Sequence, residues 1–423
     1  MNAPAQNEQQ DAPRPLQGRL DDLQMANEFA QLSLKLKKRP LVLFFGRTSF
    51  ADNSKYLFLR AISQARGYDV VWCTVNADLA ASLHAQNLPC LLLGQDIDLT
   101  LDILLHAAVA VFTLNPWESL GMSQPMVNCL AGAKQLQLWH GISVKKLTLQ
   151  LLAYLGARAA DVRPYWLSSI RADYVLSTAS HFDGYWREVF GCRQLVRAGM
   201  PRNEVLLRPA TELEMVGAEL SERGRKALDS GRPAILVVPT WQRGKWTELT
   251  GSNFLAHAVK FAREHKANVF FKAHPTYFGH WNQKDQDVEG LHLVDPGTDI
   301  YPWMNRFSAL VTDYSSIMFD FLLTGKPVLT LDLAPGDHQS YEPDYGLVPE
   351  GDFRINYTTE TLGAKLKRAL FDDKKRELRE AYAKQLFESD PLSACDDLLQ
   401  LIDALVEQSQ QPDFKVWAPG AAL

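Results

Sequence analysis

No run in this chain approaches the ~18–20 consecutive apolar residues of a membrane-spanning helix, so no transmembrane segment is expected. Cysteine is scarce. Cys73, Cys90, Cys129, Cys192 and Cys395 are scattered, odd in number and without metal-ligand spacing, and read as reduced thiols of a cytoplasmic protein. Neither sign of charge dominates: 44 Lys and Arg against 49 Asp and Glu leave a formal net charge of −5, which gives no reason to expect nucleic acid as a partner. His-x-x-x-His and clustered acid spacings are missing around the histidines that stand out, so no metal and no cofactor is expected. Short repeats and low-complexity core segments are missing too. Met1 to Gly18 is polar and Pro/Gln-rich and lacks the apolar centre of a signal peptide, so it is expected to be a disordered tail.

What is present fits a folded α/β protein. At 423 residues the chain is long for one core, and 46% hydrophobic with 22% charged residues is the balance of a globular protein. Apolar runs at Leu41–Phe45, Tyr68–Cys73, Ala107–Thr113 and Gln135–Trp139 alternate with helical spacing, and the same grammar returns at Ala234–Val238, Asn268–Lys272, Leu291–Val294, Ala309–Thr312 and Pro327–Leu331. Strands apolar on both faces with helices between them indicate parallel sheets. The expected organisation is a polar tail and helix (1–39), an N-terminal Rossmann-like domain (40–215), a C-terminal Rossmann-like domain (216–405) and a C-terminal tail (406–423). Ligands of such sheets bind outside the strands' carboxyl ends, which puts the site in a cleft between the two domains.

Three strand ends carry unusual chemistry. Val311 to Phe321 runs from a strand through Ser315 and Ser316 into helical spacing with Asp320 inside it, which offers backbone N–H groups, two hydroxyls and a helix start to phosphate oxygens. Trp139-His140-Gly141 leaves an imidazole at an open strand end, suited either to a general base or to holding the turn. Lys272-Ala273-His274-Pro275 holds a second imidazole in an extended exit loop, because proline disfavours helix at the residue before it. Lys145 and Lys146 follow the first of these histidines. Arg202, in Gly199-Met200-Pro201-Arg202-Asn203 after the strand-like Gln194-Leu195-Val196, and Thr240, Trp241 and Arg243, in a further strand-end loop, add cations, a hydroxyl and a ring. Forked guanidinium groups and an aromatic wall suit a diphosphate attached to a base or sugar.

In this order these pieces, with Asn53-Ser54-Lys55-Tyr56 after the first strand, resemble the CDP-glycerol glycerophosphotransferases of teichoic-acid and capsule synthesis, over about Leu41 to Ala334. The resemblance implies the GT-B fold, His140 as catalytic base and His274 as the group that binds or polarises the donor diphosphate. It implies substrate contacts from Gly141, Lys145, Arg202, Thr240, Trp241, Ala273, Pro275, Ser315, Ser316 and Asp320. The expected partners are a CDP-polyol donor and a glycan or lipid-linked acceptor, with CMP as product. Two departures stand out: Glu204 where the family often has Asp, and Gln242 inserted before Arg243. A GT-B sugar transferase using a nucleotide sugar is the alternative. The stretch from Lys145 to Trp166, apolar with a positive rim, reads either as a peripheral contact with the cytoplasmic face of a membrane or as an interdomain helix.

Overall fold

The computed structural model describes residues 16–144, 172–239, 252–273, 288–331 and 344–410. Lys145, Thr240, Trp241, Arg243, His274, Pro275 and the Lys145–Trp166 stretch lie outside the described residues.

The first sheet is built from β1 (Leu41–Phe45), β2 (Asp69–Thr74), β3 (Cys90–Leu92), β4 (Val109–Phe112), β5 (Lys134–Gln137), β6 (Tyr174–Ser177) and β7 (Gln194–Arg197). The second is built from β8 (Ala234–Val238), β9 (Asn268–Lys272), β10 (Leu291–Val294), β11 (Ala309–Thr312), β12 (Val328–Leu331) and β13 (Arg354–Tyr357). Their strand orders are β3-β2-β1-β4-β5-β6-β7 and β10-β9-β8-β11-β12-β13. Every recorded pairing is parallel. Each sheet therefore reverses its winding once, between β1 and β4 and between β8 and β11, and these switch points open crevices at the strands' carboxyl ends.

Continuous apolar runs make the central strands because both faces are covered. In β1, Val42 and Phe44 face one core cluster, while Leu41, Leu43 and Phe45 face another. The first of those clusters continues into the second sheet through Leu236, Leu310 and Met318, so the two units share buried apolar surface. A third cluster, including Ile235, Val237 and Phe271, covers the other face of the second sheet.

The polar opening turns helical at Leu16, earlier than the tail reading extends. The last helix, Ala394–Ser409, also departs from expectation. Its residues up to 405 are assigned from sequence to the second unit, yet its contacts lie on the first. Arg60 forks onto Asp396 at 2.9 and 2.7 Å, and Arg66 pairs with Asp403. Glu204 accepts the N–H of Cys395 at 2.8 Å, so the departure at this position has a structural use. Among the described residues no helix is long and apolar enough to cross a membrane.

Candidate functional site

A cavity of about 310 Å³ lies where the carboxyl ends of the two sheets face each other. From the first sheet it is lined by the loop after β1 (Arg47, Ser49, Ala51, Asp52), the turn after β5 (Trp139 to Val144) and Arg202. From the second come Val238 and Pro239 after β8, Lys272 and Ala273 after β9, Pro296 to Tyr301 after β10, and Tyr314 to Ile317 after β11. Of the sequence-derived site residues within the described chain, His140, Gly141, Arg202, Ala273, Ser315 and Ser316 line this one cavity; Asp320 does not.

His140 is placed by a strained turn. After β5 the backbone of Trp139 takes φ 54°, rare for a bulky residue, and Gly141 takes φ 128°. Two buried amides hold the turn: Gln137 Oε1 accepts the Trp139 N–H at 2.9 Å, and Asn53 Nδ2 donates to the Trp139 carbonyl at 2.7 Å. The Trp139 ring lies against the imidazole with centroids 4.2 Å apart. His140 Nδ1 is buried with no hydrogen-bond partner among the described residues. Burial first, and then the Arg47 and Arg202 charges, push the imidazole down to about 3, partly opposed by Asp52. The ring is therefore neutral at ordinary pH, and in the free protein its basicity is weakened.

That shift has a sign that can be measured. An unfolded chain protonates its histidines near ~6.5, so between there and the folded value of about 3 the unfolded state binds the extra proton. The His140 contribution to stability is complete above ~6.5 and is lost as pH falls through that window. We expect His140→Gln to flatten the loss of stability between neutral and mildly acidic pH, measured by urea unfolding at both.

Gly141 is required by a close approach. A Cβ there would stand 2.8 Å from Ser316 Oγ and 2.9 Å from Arg202 Nη2, at a φ that side chains rarely adopt. Gly141→Ala is expected to cost about 1–3 kcal/mol of stability through that conformation alone, and to push apart the two walls of the cavity. Thermal unfolding and the affinity for a cytidine diphosphate ligand would both report it.

The Ser315-Ser316 turn differs in one respect from the sequence expectation. The helix it opens, Ile317–Phe321, has five residues, so its macrodipole is small. The local groups remain. Neither serine caps that helix, and the N–H groups of Ser315, Ser316 and Ile317 have no hydrogen-bond partner among the described residues. The adjoining N–H of Tyr314 is taken by Asp313 Oδ1 at 2.7 Å.

Arg202 and Asp320 meet each other. Arg202 bridges Asp52 Oδ1 and Asp320 Oδ2, both at 2.6 Å, and donates to the His140 carbonyl at 3.1 Å. Asp320 also accepts from Asn203 Nδ2 at 3.1 Å and from the Tyr301 hydroxyl at 2.7 Å. Burial works against the Arg202 charge, but Asp320, Tyr301 and Asp52 outweigh it and hold the guanidinium more firmly protonated than usual. Asp320 is fully buried, its two oxygens occupied from both sheets, so its visible part is to fix Arg202 beneath the cavity floor.

A second buried pair ties the units together beside the first. Lys55, with no exposed surface, donates to Asp299 Oδ2 at 2.8 Å and to the carbonyls of Glu214 and Val216 at 2.7 and 2.8 Å. The Tyr56 hydroxyl reaches the same Asp299 oxygen at 2.7 Å. The sequence run Asn53 to Tyr56 is thus a row of fasteners: Asn53 holds Trp139, Ser54 bonds Thr113 at 2.6 Å, and Lys55 and Tyr56 hold Asp299.

Reasoning from sequence missed Arg47, Asp52, Asp299 and Tyr301 at this site. Lys272 was seen only as part of a motif. The residue lines the cavity; its ammonium donates to the Pro296 carbonyl at 2.6 Å and is pushed down to about 8 by burial, with Asp299 and Asp295 opposing. Among the described residues no cluster of His, Cys, Asp and Glu is arranged to hold a metal.

The model of the CDP-glycerol:poly(glycerophosphate) glycerophosphotransferase family matches residues 28–389. The chain belongs to this family. It is 26% identical to the teichoic acid glycerol-phosphate transferase of Staphylococcus aureus over 202 residues, which cover 45% of this chain and 50% of that protein. The chain thus spans about half the length of this relative. Among solved structures, a histidine-to-alanine variant of the wall teichoic acid polymerase TagF superposes with a TM-score of 0.70 at 17% identity, covering 93% of this chain and 97% of that one. TagF soaked with CDPG superposes at 0.67 and 16% identity, covering 93% and 98%. The fold is GT-B, as the motif resemblance implies.

Proposed function

We propose that this family member transfers glycerol phosphate, or a related polyol phosphate, from CDP-glycerol to a hydroxyl of a cell-surface polymer or lipid-linked acceptor and releases CMP. One observation carries the reading. A neutral imidazole on one wall of the cavity faces a pair of uncapped serines with open backbone N–H groups on the other. That is a proton acceptor opposite a phosphate cradle, in a chain whose family model carries CDP-glycerol in its name.

In this mechanism the acceptor hydroxyl gives its proton to His140 while its oxygen attacks the β-phosphorus, the one bearing glycerol. The new P–O bond forms in line with the bond to the CMP phosphate, which breaks, and its electron pair leaves with CMP. Catalysis of such a transfer rests on positioning and charge stabilisation. In this mechanism the Ser315 and Ser316 groups and Lys272, all of which line the cavity, meet the growing negative charge. His274 is assigned the diphosphate beside Ala273, with Pro275, Thr240, Trp241 and Lys145 around the donor. Gly141 admits the close approach of Ser316. Arg202 and Asp320 act as positioning residues, since both are committed to the buried network. A bound diphosphate supplies negative charge that offsets Arg47 and Arg202 and raises the proton affinity of His140 toward that of a useful base.

This reading makes the protein cytoplasmic, and a lipid-linked acceptor would bring it to the cytoplasmic face of the membrane. The test of the reaction is to incubate the purified chain with CDP-glycerol or CDP-ribitol and candidate acceptors, and to identify the nucleotide released. Acceptor-dependent CMP supports the proposal; CDP or UDP released from a nucleotide sugar instead supports the sugar-transferase alternative.

A further inference from the structure

We propose that Arg47 is a further phosphate-binding residue of this cavity, gripping a substrate phosphate with the Nη groups of its guanidinium; which substrate it serves rests on the reaction above. Arg47 is the second residue after β1, at the switch point where β1 pairs with β2 on one side and β4 on the other. That crevice is where doubly wound sheets take their ligands.

The loop that carries Arg47 is anchored at several points. Gly46 lies so close to Trp72 that a Cβ would meet the ring at 2.5 Å. Asn76 Nδ2 donates to the Thr48 carbonyl at 2.8 Å. Phe50 packs edge-on against Trp72 and Phe58, with centroids 4.9 and 6.1 Å apart. A cation on such a loop is held in place before any ligand arrives, which lowers the ordering cost of binding.

The guanidinium itself is under-used. Its one hydrogen bond among the described residues is a long one, Nε to Asp52 Oδ2 at 3.4 Å, and the side chain stays 34% exposed. Asp52 is drawn the other way, with its second oxygen on Arg202 at 2.6 Å. Arginine has five N–H donors in a fixed fork, and its Nη groups are without a partner among the described residues. Arg47 lines the same cavity as His140, Ser315 and Ser316. Lys272 lines it too, and the Arg47 charge acts on both His140 and Lys272. A stabilising ion pair with Asp52 is the plain alternative, but a single long contact at a partly exposed site leaves most of the fork idle.

The test titrates inorganic pyrophosphate into the purified full chain by calorimetry, comparing wild type with R47M and R47K. Arg47→Met is expected to weaken binding by about 10- to 100-fold, the range of a lost charge-assisted pair, and Arg47→Lys by less. In steady-state assays, a raised KM for CDP-glycerol assigns the fork to the donor, and a raised KM for the acceptor alone assigns it to an acceptor phosphate; either supports the inference. Pyrophosphate affinity and both KM values within twofold of wild type overturn it. If the wild type releases no CMP, the proposed reaction fails and the pyrophosphate titration alone decides on Arg47: weakened binding in R47M supports it, and equal binding or none to wild type overturns it.

Discussion

His140→Ala is expected to release CMP from CDP-glycerol about 10²–10⁴-fold more slowly than wild type, the span a positioned general base contributes. The loss should fall on kcat. In the proposed mechanism the imidazole is not among the groups that hold the donor diphosphate, and it meets the acceptor's proton only as the reaction proceeds. Donor affinity in the variant should therefore stay within a few-fold of wild type, measured by direct titration. The effect should also have a pH signature. Because the free protein keeps His140 neutral down to about 3, kcat/KM in the wild type should show no histidine-like loss at mildly acidic pH, whereas kcat, which reports the loaded site, should lose rate at a higher pH. A variant that retained near-wild-type turnover would remove His140 from the reaction.

The second large effect is on stability. Arg202→Met is expected to cost about 3–5 kcal/mol, because it strands the carboxylates of Asp52 and Asp320 without their shared cation. Both acids are buried, and neither has another cation at comparable range: Arg47 reaches Asp52 only at 3.4 Å. For a chain of this size, whose unfolding entropy is correspondingly large, such a loss lowers the unfolding midpoint by about 3–6 °C. The same change should loosen the cavity, since Arg202 also donates to the His140 carbonyl and stacks 4.6 Å from the Tyr301 ring. Adding Asp320→Asn and Asp52→Asn to Arg202→Met removes the stranded charges and should recover part of the midpoint without recovering activity. Scanning calorimetry of the single and combined variants checks both halves of this statement.

The two variants separate what was legible in the sequence from what was not. The central strands could be read because burial on both faces writes them as unbroken apolar runs, Leu41–Phe45 and Ala234–Val238 above all. Three strands were not read. Cys90–Leu92 has three residues, Tyr174–Ser177 is short, and Arg354–Tyr357 lies at a sheet edge with polar and charged residues in it. His140, Gly141, Ser315 and Ser316 announced themselves because imidazole, glycine and paired hydroxyls at strand ends have few uses besides a turn or a site. Arg47 did not, since an arginine in a polar loop looks like any solvated cation until its neighbours are known. Asp299 was invisible for a different reason: its partner Lys55 is 244 residues away, and only the closed interface brings them together. Asp320 was seen as a ligand-facing acid, and three-dimensional contacts turn it into the anchor of Arg202. The last helix was assigned to the second unit by proximity in sequence, while its acids answer Arg60 and Arg66 of the first.

Phosphorus NMR of a complete reaction tests the central claim most directly. With the purified chain, CDP-glycerol and an acceptor, the account predicts that the diphosphate signals are replaced in equal amounts by CMP and by a new phosphodiester on the acceptor, and that His140→Ala leaves the diphosphate intact. Consumption of the donor without a new phosphodiester, or formation of that diester at an undiminished rate by the variant, would contradict it.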